Sequence, residues 1–338
     1  MTTLRDELVS KWAEAARAGP SDREWRAVAL SVPATVRFLA GIREPDGRIA
    51  LLIEAPLGAA PATLLRIAAE GVSLSDRRDP AQGVVRVAVA LEREPLRDVF
   101  EVLAADLVDV VRHAANPAQA LTIGVSRLEA WQAFLRSGRR GLSREEQIGL
   151  LGELTVLELL SGEIGHEAAV EAWFGPLDGI HDFSRSGIGI EVKAVAGGGN
   201  LVRISRLDQL DRRGLSSLII ARARFQEAPD GRTVLAAVRD IREAIDRSAP
   251  GVRRAFDDRL LRAGLLEVEP QAAPGFAFIL QDLYGFEVRE DFPRLTGLSV
   301  PPEIVDASYS LDERLLGGFL SGADGLFRSL RMMAGPHD

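Results

Sequence analysis

The chain has 338 residues, 46% of them hydrophobic, and a formal net charge of −8, which allows two or three domains with packed cores and makes disorder a poor description. It has no cysteine, so disulfides, thiolate catalysis and cysteine-based zinc sites are excluded, and His113, His166, His181 and His337 show no paired metal-ligand spacing. No long apolar run or signal-peptide core occurs, so a soluble, cytoplasmic protein is expected, and the acidic balance argues against a protein that coats nucleic acid.

Residues 4–17 place Leu4, Leu8, Trp12 and Ala15 at helical spacing, with Gly19-Pro20 as the stop. Short Val- and Ile-rich runs at 32–42, 48–54, 63–67, 71–74 and 84–91, divided by turns such as Pro45-Asp46-Gly47, predict an antiparallel, β-rich region. Helices are expected at 95–115, ending near Asn116-Pro117, and at 126–135. The polar break at 136–141 then closes an N-terminal domain over residues 1–138.

A core domain over residues 139–248 opens on Ser143-Arg144-Glu145-Glu146, a capping box. Its helix runs through Ile148, Leu151, Leu154 and Leu157 to Gly162 or Gly165. A strand at 168–174, a hairpin at 181–195 turning at Ser186-Gly187, a glycine loop at 197–199 and a helix at 201–210 follow. After them come a buried strand at 215–224 and a helix at 234–245. Residues 249–338 form a C-terminal α/β extension, with helical signals at 252–263 and 311–333 and strands at 275–281, 286–292 and 304–311. That stretch either extends the core or packs as a third unit.

Lysine occurs only at Lys11 and Lys193, against thirty-nine arginines. Arginine is a planar fork, whereas lysine is a compact ammonium that can approach a phosphate oxygen and an attacking water together. Lys193 lies in a strand that reads Ile190-Glu191-Val192-Lys193, whose Glu191 follows Asp182 by nine residues. Strand side chains alternate, so Glu191 and Lys193 share a face, and hairpin pairing brings Asp182 to the same end. Asp182, Glu191 and the Val192 carbonyl can then hold one Mg²⁺ (or Mn²⁺), which would activate water while Lys193 orients it or stabilises phosphoryl charge. Glu153 sits among Leu150, Leu151 and Leu154, where a carboxylate needs a partner. It is expected to reach the cation through water or to accept a hydrogen bond from His181 or Lys193. Six arginines between residues 201 and 224 face only Asp208 and Asp211, either as a DNA-facing patch or as an ordinary polar face.

Gly152-Glu153-Leu154, His181-Asp182-Phe183 and Ile190-Glu191-Val192-Lys193 resemble the motifs of the PD-(D/E)XK nuclease superfamily. A bacterial group known by that motif is similar across most of the chain, including residues 291–295 and 308–311. The resemblance implies a restriction-endonuclease-like α/β (α+β) fold, a central mixed β-sheet flanked by helices. It also implies Mg²⁺-dependent DNA cleavage, with a place in a restriction or phage-defence system. His181 stands where the name-giving proline would be. Gln209, and less closely Ser205, match a polar residue that members often carry on the next helix. The competing reading is a non-catalytic DNA-binding or structural subunit of a larger defence complex. Cutting both strands of a duplex with one site per chain favours a homodimer.

Overall fold

Period-two patterning in the first third of the chain becomes a six-stranded antiparallel sheet in a computed structural model that describes residues 3–19, 24–60, 68–69, 71–136, 142–265 and 276–335. Two units result, Met1–Arg139 and Arg140–Asp338. The first comprises α1 (Leu4–Arg17), β1 (Trp25–Ala29), β2 (Arg37–Arg43), β3 (Ile49–Pro56), β4 (Ala68–Ala69), β5 (Val72–Asp79), β6 (Val84–Leu91), α2 (Arg97–Arg112) and α3 (Pro117–Arg136). The sheet order is β1-β2-β3-β6-β5-β4. Trp12 of α1 donates to the Ala50 carbonyl at 2.8 Å, and its ring meets Phe100 of α2. Asp106 accepts from Arg127 and Trp131, joining α2 to α3. Pro117 starts α3 rather than closing α2, since proline lacks only an N–H that a first turn leaves unused. The strand expected at 63–67 lies outside the described residues, and β1 was not anticipated because its burial alternates only weakly.

The second unit comprises α4 (Arg144–Ile164), α5 (His166–Ala172), β7 (Phe183–Arg185), β8 (Ile188–Ala196), β9 (Leu201–Ile204), β10 (Ser217–Thr233), α6 (Val234–Ser248), α7 (Arg253–Arg262), β11 (Ala277–Glu287), β12 (Tyr309–Asp312), β13 (Leu320–Ser321) and α8 (Gly322–Met332). Its mixed sheet has the order β13-β11-β10-β8-β7, with β8 and β10 parallel and the other pairs antiparallel. All five helices contribute to one buried cluster on one face, through residues such as Leu154, Val170, Ile241, Phe256 and Leu330. The other face is covered by the two-stranded β9-β12 sheet and its neighbours, through Val202, Ile204, Leu218, Ile220 and Leu316. Residues 249–338 therefore supply β11 beside β10, and α8 in the helical layer.

Four local expectations are corrected. Residues 168–174 are not a strand: Ala169, Val170, Ala172 and Trp173 recur at helical spacing, and most of the segment is α5. Residues 201–210 are not a helix, because Leu201–Ile204 alternates exposed and buried and pairs as β9 with β12. Two of the late strands, expected at 275–281 and 286–292, are the single strand β11. The last helix begins only at Gly322, since Asp312, Glu313 and Gly317-Gly318 divert the chain into short turns.

Candidate active site

The capping box forms as expected: Ser143 Oγ accepts from Glu146 N, and Glu146 returns a carboxylate oxygen to Ser143 N at 2.8 Å. The helix so begun, α4, lies close on β8 because residue 152 is glycine. A Cβ there would stand 2.8 Å from Ala194 Cβ and 3.3 Å from Val192 Cγ1. That approach carries Glu153 to the end of β8. The turn between β7 and β8 uses Ser186 and Gly187, both at positive φ (52° and 75°), as a two-residue hairpin requires. Its register pairs Phe183 with Ile190, so Asp182 and Glu191 are the next residues outward.

Asp182 reaches across the end of β7 and accepts from Val192 N at 2.7 Å. The N–H and C=O of one strand residue point to the same edge, so the Val192 carbonyl is directed toward Asp182, past the last β7 pair. Glu191, 2% exposed, accepts from Lys193 Nζ at 2.8 Å on the face that period two predicts. Glu153 is not bound by His181 or Lys193. Its carboxylate accepts from Trp173 Nε1 at 2.7 Å. The structure thus brings Glu153, Asp182, Glu191, Val192 and Lys193 together.

Burial and mutual repulsion set the electrostatics. Burial, then the Asp182 charge, pushes Glu191 up to about 8. Burial followed by the Asp182 charge lifts Glu153 well above the ordinary carboxylate range. Burial raises Asp182 too, against the Val192 N–H and the Lys193 and Arg206 charges, which favour its anion. Buried Glu191 and half-buried Glu153 and Asp182 share one half-buried ammonium, so they tend to hold protons that a bound cation would displace.

Among the described residues, no three His, Asp or Glu side chains are close enough to hold a metal ion by themselves. Asp182, Glu191 and the Val192 carbonyl are all oxygen donors, the ligand chemistry that suits Mg²⁺, which keeps several waters and takes few protein ligands. Space is kept at the acids by Gly175, where a Cβ would lie 2.6 Å from Glu153 Oε2 and 3.0 Å from Asp182 Oδ1.

Gln209 turns its side-chain oxygen to the backbone. Its Oε1 accepts from Ser205 N at 2.7 Å, closing the turn that replaces the expected helix. Of the six arginines in the basic stretch, two are taken up inside the fold, while Arg203 and Arg213 are exposed. Arg222, 2% exposed, and Arg224 both pair with buried Glu313, while Arg213 pairs with Asp211. Arg222 also donates to the carbonyls of Lys193, Gly199 and Leu201, which holds the glycine loop beside the strand. Arg206 stays partly exposed, anchored to Gly179 O at 2.7 Å. His181 is buried with Nε2 unpartnered, and burial lowers its pKa. Sequence reasoning missed Trp173 and Gly175, and took Arg206 only as one of six arginines in the basic stretch. Of the two missed, only Trp173 left a sequence signal, as the one large polar-tipped aromatic near the motif.

Residues 8–313 match the family model described as "Putative PD-(D/E)XK family member, (DUF4420)", and the chain belongs to that family. No curated protein and no solved structure matches it. No helix among the described residues is long and apolar enough to cross a membrane.

Proposed function

We propose that the protein is a divalent-cation-dependent DNA endonuclease, using Mg²⁺ or Mn²⁺ to hydrolyse phosphodiester bonds. The observation that carries the reading is the gathering of Glu153, Asp182 and buried Glu191 around Lys193 in a chain of the PD-(D/E)XK family. Asp182, Glu191 and the Val192 carbonyl would hold the cation, which when bound supplies Lewis acidity toward a phosphoryl oxygen and water. Lys193, released from Glu191 as that carboxylate turns to the cation, would place its ammonium against charge developing on the phosphate. Glu153 would accept a hydrogen bond from water at the site. A cytoplasmic place in restriction or phage defence, with DNA as the partner and a second copy or other subunits alongside, belongs to the same reading.

The test is incubation of purified protein with supercoiled and linear duplex DNA in Mg²⁺ or Mn²⁺, with an EDTA control and Asp182→Ala in parallel. Nicking that needs the cation and Asp182 supports the proposal. Folded protein that binds DNA and never cuts it would replace the proposal with a structural subunit.

A further inference from the structure

Resting on the cation site just proposed, we propose that Trp173, Phe174 and Gly175 form a clamp that positions two of its acids, with Trp173 the positioning residue and α7 the buttress. Trp173 is fully buried, and its indole N–H is the hydrogen-bond donor that Glu153 has in this structure, at 2.7 Å. Indole donates and never accepts, so it fixes one carboxylate oxygen and leaves the other free. The next two residues hold the second acid by its backbone: Phe174 N and Gly175 N donate to the Asp182 carbonyl at 2.7 and 3.0 Å. Gly175 then lies against both carboxylates, close enough that a methyl group there would displace them.

The clamp is itself held from two sides. Trp173 bridges to Phe183, the first residue of β7, which places the segment as a continuation of the sheet edge. From α7, Arg259 Nε donates to the Trp173 carbonyl at 2.8 Å, and Phe256 packs on the indole with ring centres 6.0 Å apart. Groups that orient a metal site from outside its ligand set typically change cation affinity 10- to 100-fold when removed. The clamp predicts an effect of that size from the loss of one N–H.

The experiment is calorimetric titration of the full chain with Mn²⁺, together with tryptophan emission during the same titration. Three of the four tryptophans, Trp12, Trp25 and Trp131, lie in the first unit, so an emission change on Mn²⁺ addition should belong to Trp173 and persist in Trp25→Phe. Trp173→Phe keeps one aromatic ring and loses the pyrrole half of the indole with its N–H. It should fold and melt cooperatively, below wild type because of the volume lost from a buried position, bind Mn²⁺ at least about tenfold more weakly, and show no emission change. Gly175→Ala should weaken Mn²⁺ binding similarly while leaving the indole in place. Wild-type affinity in both Trp173→Phe and Gly175→Ala overturns the clamp and leaves the cation site standing. Wild-type protein that binds no Mn²⁺ overturns the cation site itself. Should Trp173→Phe fail to fold, Gly175→Ala with wild-type affinity, or wild-type emission that ignores bound Mn²⁺, overturns the clamp.

Discussion

Replacing Glu191 by glutamine should make the cation-free protein more stable at neutral pH, and the gain should vanish in mild acid. In the folded chain this carboxyl is held at about 8 instead of its usual 4.5, first by burial and then by Asp182. Below 4.5 the folded and unfolded forms both carry the proton, and no penalty exists. Above it the unfolded chain releases the proton while the folded one keeps it, so stability falls as pH rises, by about 1.4 kcal/mol per pH unit. At pH 7 the penalty is about 3 kcal/mol, and weakening the hydrogen bond that the protonated carboxyl accepts from Lys193 gives back about 1 kcal/mol, leaving a net gain near 2 kcal/mol for the variant. At pH 5 the two effects cancel. The assay is denaturant unfolding in EDTA at pH 5, 6 and 7, following the transition of the second unit. Saturating Mg²⁺ should stabilise the wild type at pH 7 and leave the variant nearly unmoved. A variant less stable than wild type at pH 7, or a difference independent of pH, would refute the reasoning.

Three further outcomes follow from the packing. Gly152→Ala forces a methyl group against Ala194 at 2.8 Å, and should cost about 1–3 kcal/mol in thermal stability while lowering cleavage, because α4 carries Glu153. Glu313→Ala leaves buried Arg222 and half-buried Arg224 without their shared carboxylate, and should destabilise by about 3–5 kcal/mol in chemical denaturation. Ser143→Ala removes the side-chain cap of α4, for a loss of about 1 kcal/mol by the same measurement.

The hairpin and its chemistry were legible because both are local. Ser186-Gly187 dictates the turn, the turn dictates the register, and the register puts Asp182 opposite Glu191, with Lys193 on the same face. Glu153 stood out because a carboxylate on an apolar helix face needs a donor, yet its donor was sought in His181 and Lys193. Trp173 escaped because residues 168–174 read as a strand, although their small apolar residues follow a helical spacing. The arginine-rich stretch looked like a surface since Glu313, which neutralises Arg222, is 91 residues away in sequence. Gln209 was assigned to a helix that does not form, because Leu201–Ile204 finds β12 more than 100 residues later. Pairings of that separation leave no mark in local periodicity.

Whether the Lys193 ammonium acts with Glu153, Asp182 and Glu191 on a phosphodiester bond is decided by the rate of supercoiled DNA nicking in Mg²⁺ for wild type, Lys193→Ala and Lys193→Arg. Arginine keeps the charge but not the compact geometry. The account predicts nicking by the wild type and a loss of about 100-fold or more in both variants. Nicking at the wild-type rate by Lys193→Ala would contradict it.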